Sequence, residues 1–168
     1  MTLMHRFRNN AVLVLTIFLV FTTLPINAAY RQVMLESSLP TGGAGFGWIV
    51  RSAGDVNGDG NADLLVGTEA PIIGGTAYLY LGNNTGTFAP FSGSANLESW
   101  KGSSSARFGY ALASGNFNGD AFSDVAIGQF GVSNGMVAVY YGSATGLSAS
   151  ADWQVFGDQS QAGFGFSI

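Results

Sequence analysis

Three features of this 168-residue sequence predict an all-β fold. Glycine is abundant, at 25 residues, while charged residues make up only 10%, which suits tight turns between short strands rather than long solvated helices. Short apolar runs lie between Gly and Asn clusters, and no segment sustains helical periodicity. A phrase of Ala, one residue, Phe, Gly and an aromatic occurs three times, as AGFGW at 44–48, ARFGY at 106–110 and AGFGF at 162–166. Its Phe46, Phe108 and Phe164 stand 62 and 56 positions apart, the spacing of an internal repeat.

The chain opens with His5, Arg6 and Arg8, then a run dominated by aliphatic residues at 11–21, then Pro25 ahead of Ala28 and Ala29. That is the three-part layout of a secretory signal peptide. The run of about 11 residues is shorter than the ~20 a spanning helix needs. The expectation is a signal peptide over 1–28 with cleavage after Ala28, no transmembrane segment after it, and a secreted or cell-surface, extracytoplasmic location.

From Ala29 onward, Arg31, Arg51, Lys101 and Arg107 face ten acidic residues. Nucleic acid is excluded as a partner, because phosphate binding needs clustered Lys and Arg. The sequence has no Cys, so neither a disulfide framework nor a thiolate metal site is available. Its one His is His5, inside the leader, which removes imidazole bases, Ser-His-Asp triads and His-ligated zinc. Glu36, Glu69, Glu98, Asp152 and Asp158 stand in no recognisable catalytic arrangement and read as solvated loop residues. The glycine-rich stretch 41–47 lacks the Lys-Ser/Thr of a phosphate loop and reads as a turn. Asn83-Asn84-Thr85 is formally a glycosylation acceptor. The chain is read as non-enzymatic.

Aligned on the Phe-Gly pairs, region 29–168 divides into units near 44–105 and 106–161 and an incomplete one at 162–168. Each full unit holds a first apolar run (48–50; 110–112), an Asx and Gly loop, a second run (64–66; 125–127), a Gly-bounded gap and a third run (77–81; 137–141). Trp100 and Trp153, in the segments that follow, are expected on a fourth strand. A four-stranded repeat of about 60 residues fits a propeller blade; a β-sandwich with accidental self-similarity is the blander alternative. A blade cannot bury both faces alone, so the recurring Phe reads as a wedge against the neighbouring blade. The Gly after it reads as a place where backbones approach closely. The sequence stops inside the first strand of the third unit. The expected architecture is therefore a partial β-propeller of about two four-stranded blades and the start of a third, preceded by a signal peptide. Further blades would come from a longer chain or from oligomerisation.

The chemistry lies in the loop after the first run: DVNGDGNAD at 55–63 and NFNGDAFSD at 116–124. Oxygen-bearing side chains fall at loop positions 1, 3, 5 and 9, as Asp55, Asn57, Asp59 and Asp63, and as Asn116, Asn118, Asp120 and Asp124. Position 7, Asn61 or Phe122, would offer its backbone carbonyl. Calcium takes six to eight oxygens in flexible geometry and suits such a set. An Asx-Gly turn without metal is the alternative. Against it, three carboxylates within the nine residues of the first loop repel one another unless a cation neutralises them. An EF-hand loop is rejected because its acidic twelfth position would be Val66 or Ile127. The first loop has three carboxylates and Gly60 at position 6, the second two carboxylates and Ala121, so the first is expected to bind more tightly.

Phe-Gly, the Asp/Asn loop, DLLVGTEAP and GTAYLYLG, in that order, resemble the FG-GAP repeat of integrin α-subunit β-propellers and their bacterial relatives. The resemblance covers essentially everything after the leader. It implies a Ca2+ site in the hairpin loop of each blade, carried here by Asp55, Asn57, Asp59, Asn61 and Asp63, and by Asn116, Asn118, Asp120, Phe122 and Asp124. The chain departs from the family at Asn116, where Asp is usual, in the stretched Gly67-Thr68-Glu69-Ala70-Pro71, and in Gly128-Gln129-Phe130-Gly131, which has no Pro. The leading expectation is a calcium-binding adhesion or recognition module that meets an unknown protein or carbohydrate ligand through its blade-connecting loops. The alternatives are a non-catalytic portion of a larger secreted enzyme, such as a phospholipase- or glycosidase-type hydrolase, and a structural spacer.

Overall fold

The structure, a computed structural model, describes residues 12–15, 33–36, 45–69, 74–84, 88–90, 97–98, 106–131 and 134–168, and among these there is no helix. No described helix is therefore long and apolar enough to cross a membrane. Strand β1 (Val12–Leu15) pairs antiparallel with β2 (Val33–Glu36). β1 falls inside the segment read as a leader; the rest of 1–28, with its cleavage point, lies outside the described residues.

The first unit is an antiparallel meander of β3 (Gly45–Gly54), β4 (Asp63–Glu69) and β5 (Thr76–Gly82). Two short pieces share the fourth place: β6 (Phe88–Pro90) pairs with Tyr80, Leu81 and Gly82, and β7 (Leu97–Glu98) with Thr76 and Ala77. Trp100, expected on that fourth strand, lies outside the described residues. The second unit runs β8 (Arg107–Gly115), β9 (Asp124–Phe130), β10 (Met136–Tyr140), β11 (Trp153–Phe156), each strand antiparallel to the next. Here Trp153 does stand on the fourth strand, opposite Val139.

In both units the Phe-Gly-aromatic phrase is a β-bulge. Phe46 pairs with Thr68 and Ile49 with Gly67, leaving Gly47 and Trp48 out of the ladder; Phe108 pairs with Gln129 and Ala111 with Gly128, leaving out Gly109 and Tyr110. Gly47 and Gly109 have φ of +84° and +80°, where a Cβ is costly. The bulge bends the strand and re-aims the aromatic that follows.

Successive side chains point to opposite faces of a strand, and in the first unit both faces are apolar: Leu64, Val66, Tyr78 and Tyr80 form one buried cluster. Leu65, Ala77 and Leu79 of the first unit share a core with Phe108, Leu112, Val125, Ile127, Met136 and Ala138 of the second. Phe108 is 1% exposed and, among the described residues, is the largest of the fully buried side chains. Burial on that scale contributes about 1.5–3 kcal/mol. Phe46 is only partly buried and packs edge-on to Tyr78 at 5.4 Å. Phe164 is 36% exposed.

Main chain crosses main chain at the joint between units. A Cβ on Gly75 would collide with the Phe108 carbonyl, and one on Gly67 with the Gly109 carbonyl. The same collisions recur one unit later, between Gly135 and the Phe164 carbonyl and between Gly128 and the Gly165 carbonyl. The second and third Phe-Gly pairs thus lie across the second strand of the preceding unit and the approach to its third, with a glycine at each crossing. The close approach expected after Phe is present, and the left-handed bulge adds a second reason for Gly there.

Candidate metal centre

Loops 55–63 and 116–124 join β3 to β4 and β8 to β9 and form the tips of two hairpins. Their middles share three hydrogen bonds, and the first loop adds one from Asn61 Nδ2 to Asp59 Oδ1 (2.9 Å), where the second has Phe122. Asn57 donates through Nδ2 to Asp59 Oδ2 (3.0 Å) and accepts from Asp59 N (3.1 Å), while Asp59 Oδ1 accepts from Asn61 N (2.8 Å). In the second loop Asn118 Nδ2 donates to Asp120 Oδ2 (2.7 Å), Asn118 Oδ1 accepts from Asp120 N (3.0 Å), and Asp120 Oδ1 accepts from Phe122 N (2.7 Å). The Asn61 backbone amide, then the Asn57 and Asn61 side chains, hold the Asp59 carboxyl below the usual carboxylate range.

Position 9 does something the sequence reading missed. Asp63 and Asp124 are 2% and 0% exposed. Asp63 accepts from Val56 N and Gly82 N, both at 2.8 Å. Asp124 accepts from Phe117 N (2.6 Å), Asn118 N (3.2 Å) and Gly142 N (2.9 Å). Each carboxylate ties its loop to the residue that closes or follows the third strand. Burial holds the Asp63 carboxyl above its ordinary range; the Val56 and Gly82 amides pull against that rise, and the Asp59 and Asp55 charges add to it. The signal in the sequence was a glycine, Gly82 or Gly142, where a Cβ would collide with the carbonyl of Ala62 or Ser123 just before the Asp.

Position 1 differs between the loops. Asp55 Oδ1 accepts from Gly58 N (2.7 Å) and Asp59 N (3.1 Å), and its Oδ2 from Gly60 N (2.8 Å). Asn116 Oδ1 accepts from Gly119 N (2.6 Å), but its Nδ2 donates to the Asp120 carbonyl. The peptide between positions 5 and 6 is therefore turned over: its N–H faces position 1 in the first loop and its C=O does so in the second. Gly60 has φ +84°, whereas Ala121 has no positive φ.

The donor set of each loop is all oxygen, which fits a hard cation such as calcium, and a carboxylate oxygen keeps a lone pair beyond a single amide bond. The side chains themselves are arranged as a hydrogen-bonded Asx loop. Among the described residues no three acidic side chains are gathered closely enough to hold a metal ion.

Away from the loops, the aromatics that follow each Phe-Gly stack across the units. Trp48 lies 5.4 Å from Tyr110, and Tyr110 5.2 Å from Phe166. Phe130 meets Tyr110 at 4.4 Å and Phe166 at 5.0 Å, and the Arg107 guanidinium stands 5.0 Å from the Phe130 ring. Trp48 and Phe166 are 51% and 52% exposed. Asp152, read as a solvated loop residue, accepts from Tyr141 N at 2.8 Å and so holds the end of the third strand.

Comparison with known proteins matches this organisation. The model of the FG-GAP-like repeat family matches residues 55–127, from position 1 of the first loop into β9. The chain is 36% identical over 148 residues to integrin alpha-3 of Cricetulus griseus, covering 82% of this chain and 13% of that protein. It is 34% identical over 144 residues to integrin alpha-7 of Homo sapiens, covering 82% and 12%. With phosphatidylinositol-glycan-specific phospholipase D of Mus musculus the identity is 38% over 125 residues, covering 64% and 14%. The chain thus spans 12 to 14% of the length of these relatives.

Proposed function

For a chain that belongs to the FG-GAP repeat family, we infer a secreted or cell-surface recognition module. Its units are blades of a β-propeller, and its hairpin loops bind calcium. The observation that carries this reading is the repetition of one loop, with oxygen-bearing side chains at positions 1, 3, 5 and 9 and three shared hydrogen bonds through its middle, in two successive units. Asp55, Asn57, Asp59, Asp63 and the Asn61 carbonyl would hold one ion; Asn116, Asn118, Asp120, Asp124 and the Phe122 carbonyl would hold another. Calcium would supply charge neutralisation where the Asp59 and Asp55 charges already bear on buried Asp63. The units so stiffened would then present their blade-connecting loops to a protein or carbohydrate ligand.

Catalysis is not part of the reading. Asp63, Asp124 and Asp152 accept backbone amide bonds, and the one His precedes Ala29. The likeness to a phospholipase D supports a second reading, in which this module is a non-catalytic part of a larger secreted enzyme.

Calorimetric and thermal titration of the full chain with calcium tests the site. Two binding events are expected, the tighter lost in Asp59→Ala and the weaker in Asp120→Ala. At 100 times a loop's Kd, calcium should stabilise the fold by ~2.7 kcal/mol. No heat and no change in Tm at millimolar calcium would overturn the reading. N-terminal sequencing of the exported protein should begin at Ala29.

A further inference from the structure

We propose that the two hairpin loops form one cooperative unit, joined through a reciprocal hydrogen-bonded pair between Asp55 and Ser123. As far as calcium is concerned, this rests on the reading above; the mechanical joint is independent of it.

Ser123 N donates to the Asp55 carbonyl at 2.9 Å, and Asp55 N donates to Ser123 Oγ at 3.2 Å. Asp55 is position 1 of the first loop. Ser123 is position 8 of the second, between Phe122 and Asp124, so two donors of one loop flank the residue that grips the first donor of the other. At the same position the first loop has Ala62, which carries no hydroxyl for such a grip.

The surroundings leave the pair little freedom to slide. Ser143 N donates to the Val56 carbonyl at 3.1 Å. A Cβ on Gly54 would collide with Ser123 Oγ, and one on Gly142 would stand 2.8 Å from the Val56 carbonyl. The Phe122 ring covers Gly58, where a Cβ would stand 2.7 Å from Cε1. Next along the chain, Asp124 holds the Phe117 and Asn118 amides that open the second loop. A continuous set of bonds therefore runs from Asp55 through Ser123 and Asp124 to the start of the second loop. A shift of the first loop at Asp55 displaces segment 122–124, and order imposed on either loop is felt by the other. By linkage the effect is equal in both directions, and coupling of this kind commonly amounts to 5-fold or more in an equilibrium constant.

The test combines amide hydrogen exchange with calcium titration of the full chain, using Ca2+ alone as probe. Without calcium, Asp120→Ala in the second loop should speed exchange of the Gly58, Asp59 and Gly60 amides by ~5-fold or more. With calcium, the same variant should weaken binding at the first loop by a similar factor. Ser123→Ala should abolish both effects, so that adding Asp120→Ala to it leaves the first loop unchanged. Protection of the Gly82 and Gly142 amides reports that each variant is folded. First-loop exchange and affinity unchanged within twofold by Asp120→Ala would overturn the proposal, as would transmission that survives Ser123→Ala. If calcium gives no heat at all, the site reading fails while the exchange arm still decides the coupling.

Discussion

In the first loop the Asp55 carboxylate collects the N–H groups of Gly58, Asp59 and Gly60; in the second, Asn116 takes the N–H of Gly119 and gives its own amide hydrogen to the Asp120 carbonyl. Of the five positions at which these loops differ, two, Asp to Asn at position 1 and Gly to Ala at position 6, act on the orientation of one peptide. An acceptor-only side chain at position 1 calls the N–H inward, which places position 6 in the left-handed region where glycine is favoured. An amide at position 1 can call the carbonyl inward, and position 6 is then free to be Ala121. Counted from the sequence, the neutral side chain and the missing glycine are two separate weaknesses of the second loop. In the structure each accommodates the other.

The comparison between units can be broken at several points. The largest effect belongs to the wedge: Phe108→Ala should cost ~3–5 kcal/mol, and Phe46→Ala less than half of that, in urea unfolding of the full chain. Equal costs would mean that the two rings are equally seated, against their different burial. Asp63→Asn and Asp124→Asn should each cost ~1–3 kcal/mol, because each replacement aims an N–H at a backbone N–H. Both should also speed exchange of the amide of Gly82 or Gly142. A loss in one unit alone would show that the shared tie does not do the same work in both.

Position 1 and position 6 are a smaller and sharper test. Asn116→Asp alone sets a carboxylate oxygen against the Asp120 carbonyl and should destabilise; adding Ala121→Gly should let the peptide turn over and restore stability. The coupling energy of that double-mutant cycle should fall at ~0.5–3 kcal/mol, and calcium affinity should rise only in the double variant. Additive effects would show that the two positions are unrelated. Least is expected of Trp48→Ala, which removes one exposed stacking partner of Tyr110 and should cost ~0.5–1.5 kcal/mol.

Much of this was legible in the residues. The Phe-Gly phrase, the Asx loop and the apolar runs locate β3 to β5 and β8 to β10, because turn chemistry and short apolar runs act locally and leave a mark in sequence. The fourth place was legible only where one strand fills it, at Trp153; in the first unit it is divided between β6 and β7. The bulge at Gly109, the buried tie of Asp63 to Gly82 and the grip of Ser123 on Asp55 were not legible. Their partners are backbone N–H and C=O groups, which every residue but Pro carries alike. What betrays them is the glycine that makes room, and a glycine in a loop looks the same whether it serves a turn or a crossing.

The crossings at Gly75 and Gly135 have a consequence for how such a chain can grow. Both are joints of main chain against main chain, made possible by side chains that are missing. A joint of that kind asks for glycine at its own positions, while the shared core and the Asp55–Ser123 pair set the rest of the fit between units. A tandem copy that keeps the Phe-Gly pair, the receiving glycines and the loop contact at Ser123 would dock on its predecessor at the same offset. Duplication can therefore extend the array by repeating one set of contacts, and because Ser123 holds the main chain of Asp55, the side chains at position 1 are left free to differ in charge, as those of Asp55 and Asn116 do.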